Sequence, residues 1–131
     1  MTTKVAIIGL GIMGQRMLTH MRLHHSFEPD YLWDPDESAC RQAIILDPQS
    51  KVMDSASDAI SRADLVYLAC PPAVREPYAL AAAAAGKALF LEKSTLGYRM
   101  LGLGMLSFVL VFVDHTTSWL DGSRSLLTIV V

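Results

Sequence analysis

The run Lys4-Val-Ala-Ile-Ile-Gly-Leu-Gly-Ile-Met-Gly14 constrains this chain more than any other stretch, because an apolar segment passes without a break into Gly9-x-Gly11-x-x-Gly14. A short apolar run with no polar interruption is the pattern of a central parallel strand covered on both faces. Three glycines at that spacing then leave few ways for the chain to continue. Gly9 permits a tight strand-to-helix turn, Gly11 keeps the backbone open to close approach, and Gly14 lets the following helix lie close to the strand. A second apolar segment, Tyr31-Leu-Trp-Asp34, ends on a carboxylate 20 residues after Gly14. Strand, glycine turn, helix, strand and terminal acid in that order form the dinucleotide-binding pattern. In it, unpaired N–H groups at the helix N-terminus, from Gly11, Ile12 and Met13 onward, receive a pyrophosphate, and Asp34 accepts hydrogen bonds from the adenosine ribose. A glycine-rich turn that binds nothing is the competing reading of the same residues.

The remainder of the chain alternates strand and helix. The spacing of Met13, Met17 and Met21 predicts a helix over Ile12 to about His24 with the methionines on the core face and Gln15, Arg16, Thr19 and Arg22 on the others. Pro35 stops the second strand, and Asp36 is placed to cap a helix from Glu37 to Leu46. Lys51 to Met53 reads as a short strand and Ser57 to Ile60 as a short helix. Leu65 to Cys70 is a strand halted by Pro71-Pro72, Ala73 to Ala85 a helix closed by Gly86, and Ala88 to Leu91 a fifth strand that delivers Glu92 and Lys93. The fold class expected is α/β, a doubly wound parallel sheet of the Rossmann type. Ligands of such sheets bind at the carboxyl ends of the strands, where Gly9, Asp34, Cys70, Pro71, Pro72, Glu92 and Lys93 converge.

Composition narrows the function. A net charge of −2 supplies no basic face for nucleic acid. Only Cys40 and Cys70 are present, in different elements, so neither a disulfide framework nor a zinc site is expected, and a reducing cytoplasm fits. His20, His24 and His25 have no carboxylate or cysteine partner at ligand spacing and read as a solvated helix end, with no metal site.

Asp64-Leu-Val-Tyr-Leu-Ala-Cys-Pro-Pro-Ala-Val-Arg-Glu-Pro-Tyr-Ala-Leu80, followed by Ala85-Gly-Lys-Ala-Leu-Phe-Leu-Glu-Lys93, resembles the N-terminal half of the Gfo/Idh/MocA oxidoreductases, the glucose-fructose oxidoreductase and inositol dehydrogenase group. The resemblance covers residues 3–95. It implies a cofactor domain binding NAD, with NADP the less favoured form, and hydride transfer between the nicotinamide and a hydroxyl carbon of a sugar or polyol. It assigns Cys70, Pro71 and Pro72 to a cofactor-facing loop and Lys93 to the catalytic neighbourhood of the nicotinamide and the substrate hydroxyl. Ser94 stands where the family has proline and Arg75 where it often has histidine. Gly9 to Gly14 also resembles the opening of the β-hydroxyacid dehydrogenases, against which the Ala-Gly-Lys and Glu92-Lys93 arrangement stands.

Residues 96–131 are different material, with Arg99, Asp114, Asp121 and Arg124 their only charges. They match no part of the family's substrate domain. The expectation is a dinucleotide-binding domain over 1–95 and an atypical apolar tail over 96–131, in a truncated product or a non-catalytic nucleotide-binding remnant. Met100 to Val113 holds 14 uncharged residues, ~21 Å as a helix against a hydrocarbon core of ~30 Å. It admits sheet-edge cover, an aggregation-prone remnant, or a membrane anchor drawing on residues 96–113. Leu126 to Val131 has strand composition. Asp114-His115 lacks any surrounding motif, and an oligomer is left open.

Overall fold

Alternation of side chains along a strand sends successive apolar residues to opposite faces, and β1 (Thr3–Ile8) shows the result. Val5 and Ile7 join one core cluster, Ala6 and Ile8 the other, and all four are fully buried. The computed structural model describes residues 1–91, 109–112 and 128–129. The elements run β1, α1 (Ile12–Leu23), β2 (Phe27–Trp33), α2 (Glu37–Leu46), β3 (Lys51–Val52), α3 (Ala56–Arg62), β4 (Leu65–Leu68), α4 (Pro72–Ala84) and β5 (Ala88–Leu91). Strand order is β3-β2-β1-β4-β5, every neighbouring pair among these being parallel. The chain builds outward from β1 to β3, then returns past β1 to β4, so the order reverses between β1 and β4. That crevice is where an open α/β sheet binds ligands. Helices α1 and α2 cover one face through Leu18, Met21, Cys40 and Ala43, and α3 and α4 the other through Ala56, Ala59, Ile60 and Ala82. The expected doubly wound α/β sheet is therefore observed.

Two further strands extend this sheet. Val109–Phe112 forms β6, antiparallel to β5, and Thr128–Ile129 forms β7, antiparallel to β6. Glu92, Lys93, Ser94 and Asp114-His115 lie outside the described residues, as does most of the stretch read as apolar tail. Among the described residues no helix is long and apolar enough to cross a membrane.

Several local expectations shift by a residue or more. The methionine stripe is not the core face of α1: Met21 is buried and Met17 packs against the cluster, but Met13 is 38% exposed. Gly14, Leu18 and Met21 form the buried face instead, at the spacing of one helical stripe. The rotation follows from Gly14, which has to face the turn it packs on. Asp36 caps α2, accepting the Ser38 N–H at 2.8 Å, and Ser55 caps α3, accepting from Asp58 at 3.1 Å. Helix α4 begins one residue early because Pro72 suits a first helical position. It tolerates Pro77 in its second turn and closes ahead of Gly86, whose φ of +66° lies in the left-handed region.

Strand β2 begins four residues earlier than its apolar segment, since Phe27 and Glu28 pair with Thr3 and Lys4 before the register slips. Between Lys4↔Glu28 and Ala6↔Tyr31, two residues of β2 oppose one of β1. Pro29, lacking a ladder donor, occupies this bulge. Its carbonyl accepts from the Ser50 hydroxyl and, at 3.3 Å, from Arg22 Nη2. Arg22 was expected on an outward face of α1. It instead reaches inward, its Nε donating to Asp47 Oδ2 at 2.7 Å and its Nη2 to Asp30 Oδ1 at 3.4 Å and to the Ser50 hydroxyl at 3.2 Å. This network ties the end of α1 and the start of β2 to the turn between α2 and β3.

Asp47 is only 5% exposed. Burial alone would raise its pKa, but the Ser50 hydroxyl and the Arg22 guanidinium outweigh it and hold the carboxyl below its ordinary value. Because the folded pKa is depressed, the stabilisation is complete above the unfolded value near ~4 and is lost as pH falls through the lower, folded one. Asp47→Asn should lower unfolding stability by about 2 kcal/mol at pH 7. In urea melts, the gap between parent and variant should close as pH drops below ~4.

Candidate dinucleotide site

Three strand ends meet at the switch point, and backbone hydrogen bonds hold them together. The Gly9 N–H donates to the Trp33 carbonyl at 2.9 Å, and the Ala69 N–H to the Ile8 carbonyl at 2.9 Å. Leu10, fully buried beneath the turn, donates its N–H to Asp34 Oδ2 at 2.6 Å. Gly9 has φ +97°, and a Cβ there would stand 2.8 Å from the Cys70 nitrogen. Conformation and crowding both demand glycine at that position. A Cβ on Gly14 would overlap the Gly9 carbonyl oxygen and lie 3.6 Å from the Ala69 methyl. Close helix-to-strand approach, read from the spacing, is thus the observed contact.

Gly11 is different in kind. Its φ of −67° suits any residue, and a Cβ built on it meets nothing within 4 Å. No part of the described protein requires a glycine there. Gly11 is the N-cap of α1, and that helix has no capping side chain and no acidic residue in its first turn. Helices α2 and α3 each have both. Ile12 stands 84% exposed beside it, with Met13 partly so, on the rim of the turn.

Asp34 follows β2 and accepts a second bond, from the Asp36 N–H to Oδ1 at 2.8 Å, which shapes the turn into α2. A cavity of about 870 Å³ opens beside it, between α2 and the end of β3, with Trp33, Arg41, Ile44, Val52 and Met53 among its walls. Arg41 lies one helical turn from Glu37, their charged groups 3.5 Å apart. Cys40 at the same cavity donates its thiol to the Asp34 carbonyl at 3.4 Å. Across the switch point, Cys70 is buried, Pro71 stands at the N-cap position of α4 without capping it and Pro72 opens the helix. Arg75 folds back from α4 so that its Nε and Nη2 meet the Cys70 carbonyl at 3.2 and 2.8 Å. Burial pushes the Cys70 thiol up against the opposing pull of Arg75, and burial likewise raises Cys40. Both thiols are therefore protonated at neutral pH and neither is an activated nucleophile.

Gly9, Gly11, Ile12, Met13, Gly14, Asp34, Cys70, Pro71 and Pro72 are thus brought to one edge of the sheet. Glu92 and Lys93 lie beyond the described end of β5. His20, His24 and His25 sit exposed at the far end of α1, where His24 and His25 stack with ring centroids 4.7 Å apart. Among the described residues no group of three His, Cys, Asp or Glu side chains is placed to hold a metal. Neither the Asp34–Leu10 bond nor the Arg75 fold-back has a signature in the sequence, and the apolar walls on α2 and β3 are scattered along it.

A parallel sheet with this turn at its switch point and a carboxylate at the neighbouring strand end defines an NAD-binding Rossmann domain. Residues 3–94 match the family model described as the Gfo/Idh/MocA oxidoreductase family, NAD-binding Rossmann fold, and the chain belongs to that family. Among solved structures it is similar to GenD2 of gentamicin A biosynthesis in complex with NAD, at 25% identity and TM-score 0.65 over 76% of this chain and 30% of that one. It is similar too to myo-inositol dehydrogenase from Lactobacillus casei in complex with NAD(H) and myo-inositol, at 25% identity and TM-score 0.65 over 71% and 29%. Biliverdin reductase from Synechocystis, in complex with biliverdin and NADP⁺, shares the fold at 24% identity and TM-score 0.66, over 70% and 29%. The chain therefore spans about 30% of the length of the solved relatives it matches. A comparison with curated proteins gave no match.

Gly11 and Gly14 should separate on substitution. Gly14→Ala drives a methyl into the Gly9 carbonyl and should cost about 2–3 kcal/mol. Gly11→Ala meets open space and should cost less than about 1 kcal/mol. Thermal melts followed by circular dichroism check the order, which would be reversed if α1 left the turn at another angle.

Proposed function

We propose that the chain binds a nicotinamide dinucleotide across the switch point, as the cofactor domain of an oxidoreductase acting on a hydroxyl carbon of a sugar or polyol. The observation that carries the binding site is Gly11, a glycine that nothing in the described protein requires, at the head of a helix with no internal cap. A pyrophosphate seated there takes the unpaired N–H groups of the first turn and the positive end of the helix dipole. Gly11 keeps a Cβ out of its way. Asp34 accepts from the adenosine ribose hydroxyls, and the cavity between α2 and β3 supplies apolar walls beside it for the base. Bound there, the nicotinamide supplies or accepts the hydride.

The polyol assignment is supported by one relative, the myo-inositol dehydrogenase solved with NAD(H) and myo-inositol. Lys93, two residues past the end of β5, is the proposed proton relay at the substrate hydroxyl, and Glu92 supports it. Cys70, Pro71 and Pro72 form the wall facing the nicotinamide side. Cys70, with its protonated thiol, acts there by shape rather than by chemistry.

NAD is preferred over NADP. A 2′-phosphate brought within ~4 Å of the Asp34 carboxylate meets a repulsion of about 4 kcal/mol per charge pair at an effective dielectric of 20, before screening. Fluorescence titration should show NADH binding at least tenfold tighter than NADPH; tighter NADPH binding would assign the phosphate to Arg41 and remove Asp34 from the ribose. Gly11→Val should abolish NADH binding while its circular dichroism matches the parent, and retained binding would reduce the glycine loop to a plain turn. Lys93→Ala should leave the NADH dissociation constant within about twofold of the parent in the same titration, as expected of a residue that acts at the substrate hydroxyl rather than in holding the cofactor.

A further inference from the structure

Three carboxylates line the cavity between α2 and the end of β3, those of Asp34, Glu37 and Asp54. Two are engaged. Both oxygens of Asp34 accept backbone amides, and Glu37 lies 3.5 Å from Arg41. Asp54 is the third, exposed at the cavity wall, and no donor among the described residues meets its side chain. Its backbone, by contrast, is held from both sides. The Met53 N–H donates to the Leu32 carbonyl at 2.8 Å, which ties the residue before Asp54 to β2. Directly after it, the Ser55 hydroxyl accepts the Asp58 N–H at 3.1 Å and caps α3. Leu32 pairs with Val52 in the parallel ladder, and two residues further along each strand the same register sets Asp54 level with Asp34. A carboxylate with no task in the fold is thereby carried to the cavity, one strand out from the carboxylate assigned to the ribose.

We infer that Asp54 reads the base of the dinucleotide by accepting the 6-amino group of adenine, and so makes the site selective against purines that carry no donor at that position. The inference rests on the cofactor reading above. A purine is apolar on its faces and polar along its edge. Ile44, Val52 and Met53 offer the faces an apolar wall, but such a wall does not tell one purine from another. Discrimination needs a polar group at the edge. An ionised carboxylate only accepts hydrogen bonds. Adenine presents an amino donor at position 6, whereas the 6-oxo purines, guanine and hypoxanthine, present a carbonyl oxygen there. Asp54 therefore gains a charge-assisted bond from adenine and meets lone pairs on a 6-oxo base. Because the chain is already fixed at Met53 and Ser55, aiming the carboxylate costs side-chain freedom alone.

The experiment titrates the full chain with three probes: NADH, the reduced dinucleotide in which unsubstituted purine replaces adenine, and the reduced dinucleotide of hypoxanthine. The parent should bind NADH at least about tenfold tighter than either analogue. Asp54→Ala should bind NADH about tenfold more weakly than the parent yet stay within about twofold of it for the purine form, which has no amine to lose. A loss confined to NADH is the coupling between Asp54 and the 6-amino group. Asp54→Asn, whose amide can turn an N–H toward the oxo group, should bind the hypoxanthine form at least about threefold tighter than the parent does, a gain that a merely structural residue would not produce. A parent that binds NADH and the purine form equally overturns the base reading. A loss in Asp54→Ala that is the same for NADH and the purine form overturns it as well, because the residue would then act through the turn between β3 and α3 rather than on the amine. A parent that binds none of the three probes overturns the cofactor reading and the inference with it, an outcome distinct from one in which all three bind alike.

Discussion

The contact of the α1 backbone at Gly14 with the Gly9 carbonyl oxygen governs how the rest of this molecule is arranged. A helix separated from its strand by only three residues can lie this close only where no Cβ intervenes, and the built Cβ on Gly14 overlaps that oxygen. The close approach fixes which face of α1 turns to the sheet, burying Leu18 and Met21 and leaving Ile12 and Met13 at the rim. It also aims the N-terminus of α1 at the crevice where strand order reverses. The left-handed turn at Gly9 and the open backbone at Gly11 are the two ends of the same device. The first is demanded by the fold, whereas at Gly11 the described protein leaves open space.

Around that turn the sheet is held by an apolar core divided between two faces, and by polar contacts of two kinds. At the carboxyl edge the contacts are short and few, between Gly9 and Trp33, Leu10 and Asp34, and Arg75 and Cys70. They shape loops rather than bury them. At the opposite side Arg22, Asp30, Asp47 and Ser50 close over the bulge at Pro29. The bulge leaves β2 one residue out of step with β1, and the network answers the carbonyl that the irregularity exposes. The buried Asp47 charge is tolerated here because the Arg22 guanidinium and the Ser50 hydroxyl both share it.

Much of the carboxyl edge was legible from residue type and spacing. Glycines at 9, 11 and 14, a carboxylate at 34 and the Cys70-Pro-Pro stop are local features whose physical meaning depends on neighbours in sequence. The cap at Asp36 is of the same kind. The methionine stripe misled, because a periodic apolar pattern fixes a helix but not its rotation when a glycine has a stronger claim on the buried face. Arg22 misled for another reason: an arginine on a helix is ordinarily solvated, and nothing near it in sequence announces that Asp47 and Ser50 will arrive from 25 and 28 residues away.

By itself the sequence determined the class of fold, the turn at the head of α1 and the family to which the chain belongs. These rest on backbone freedom and short-range periodicity, which are properties of a few consecutive residues. Only the tertiary structure decided that Leu10 hangs from Asp34, that Arg75 turns back onto Cys70, and that α2 and β3 enclose a cavity beside the carboxylate. Each of these joins groups from separate strands, and their distances are set by the register of the sheet, which no stretch of sequence contains.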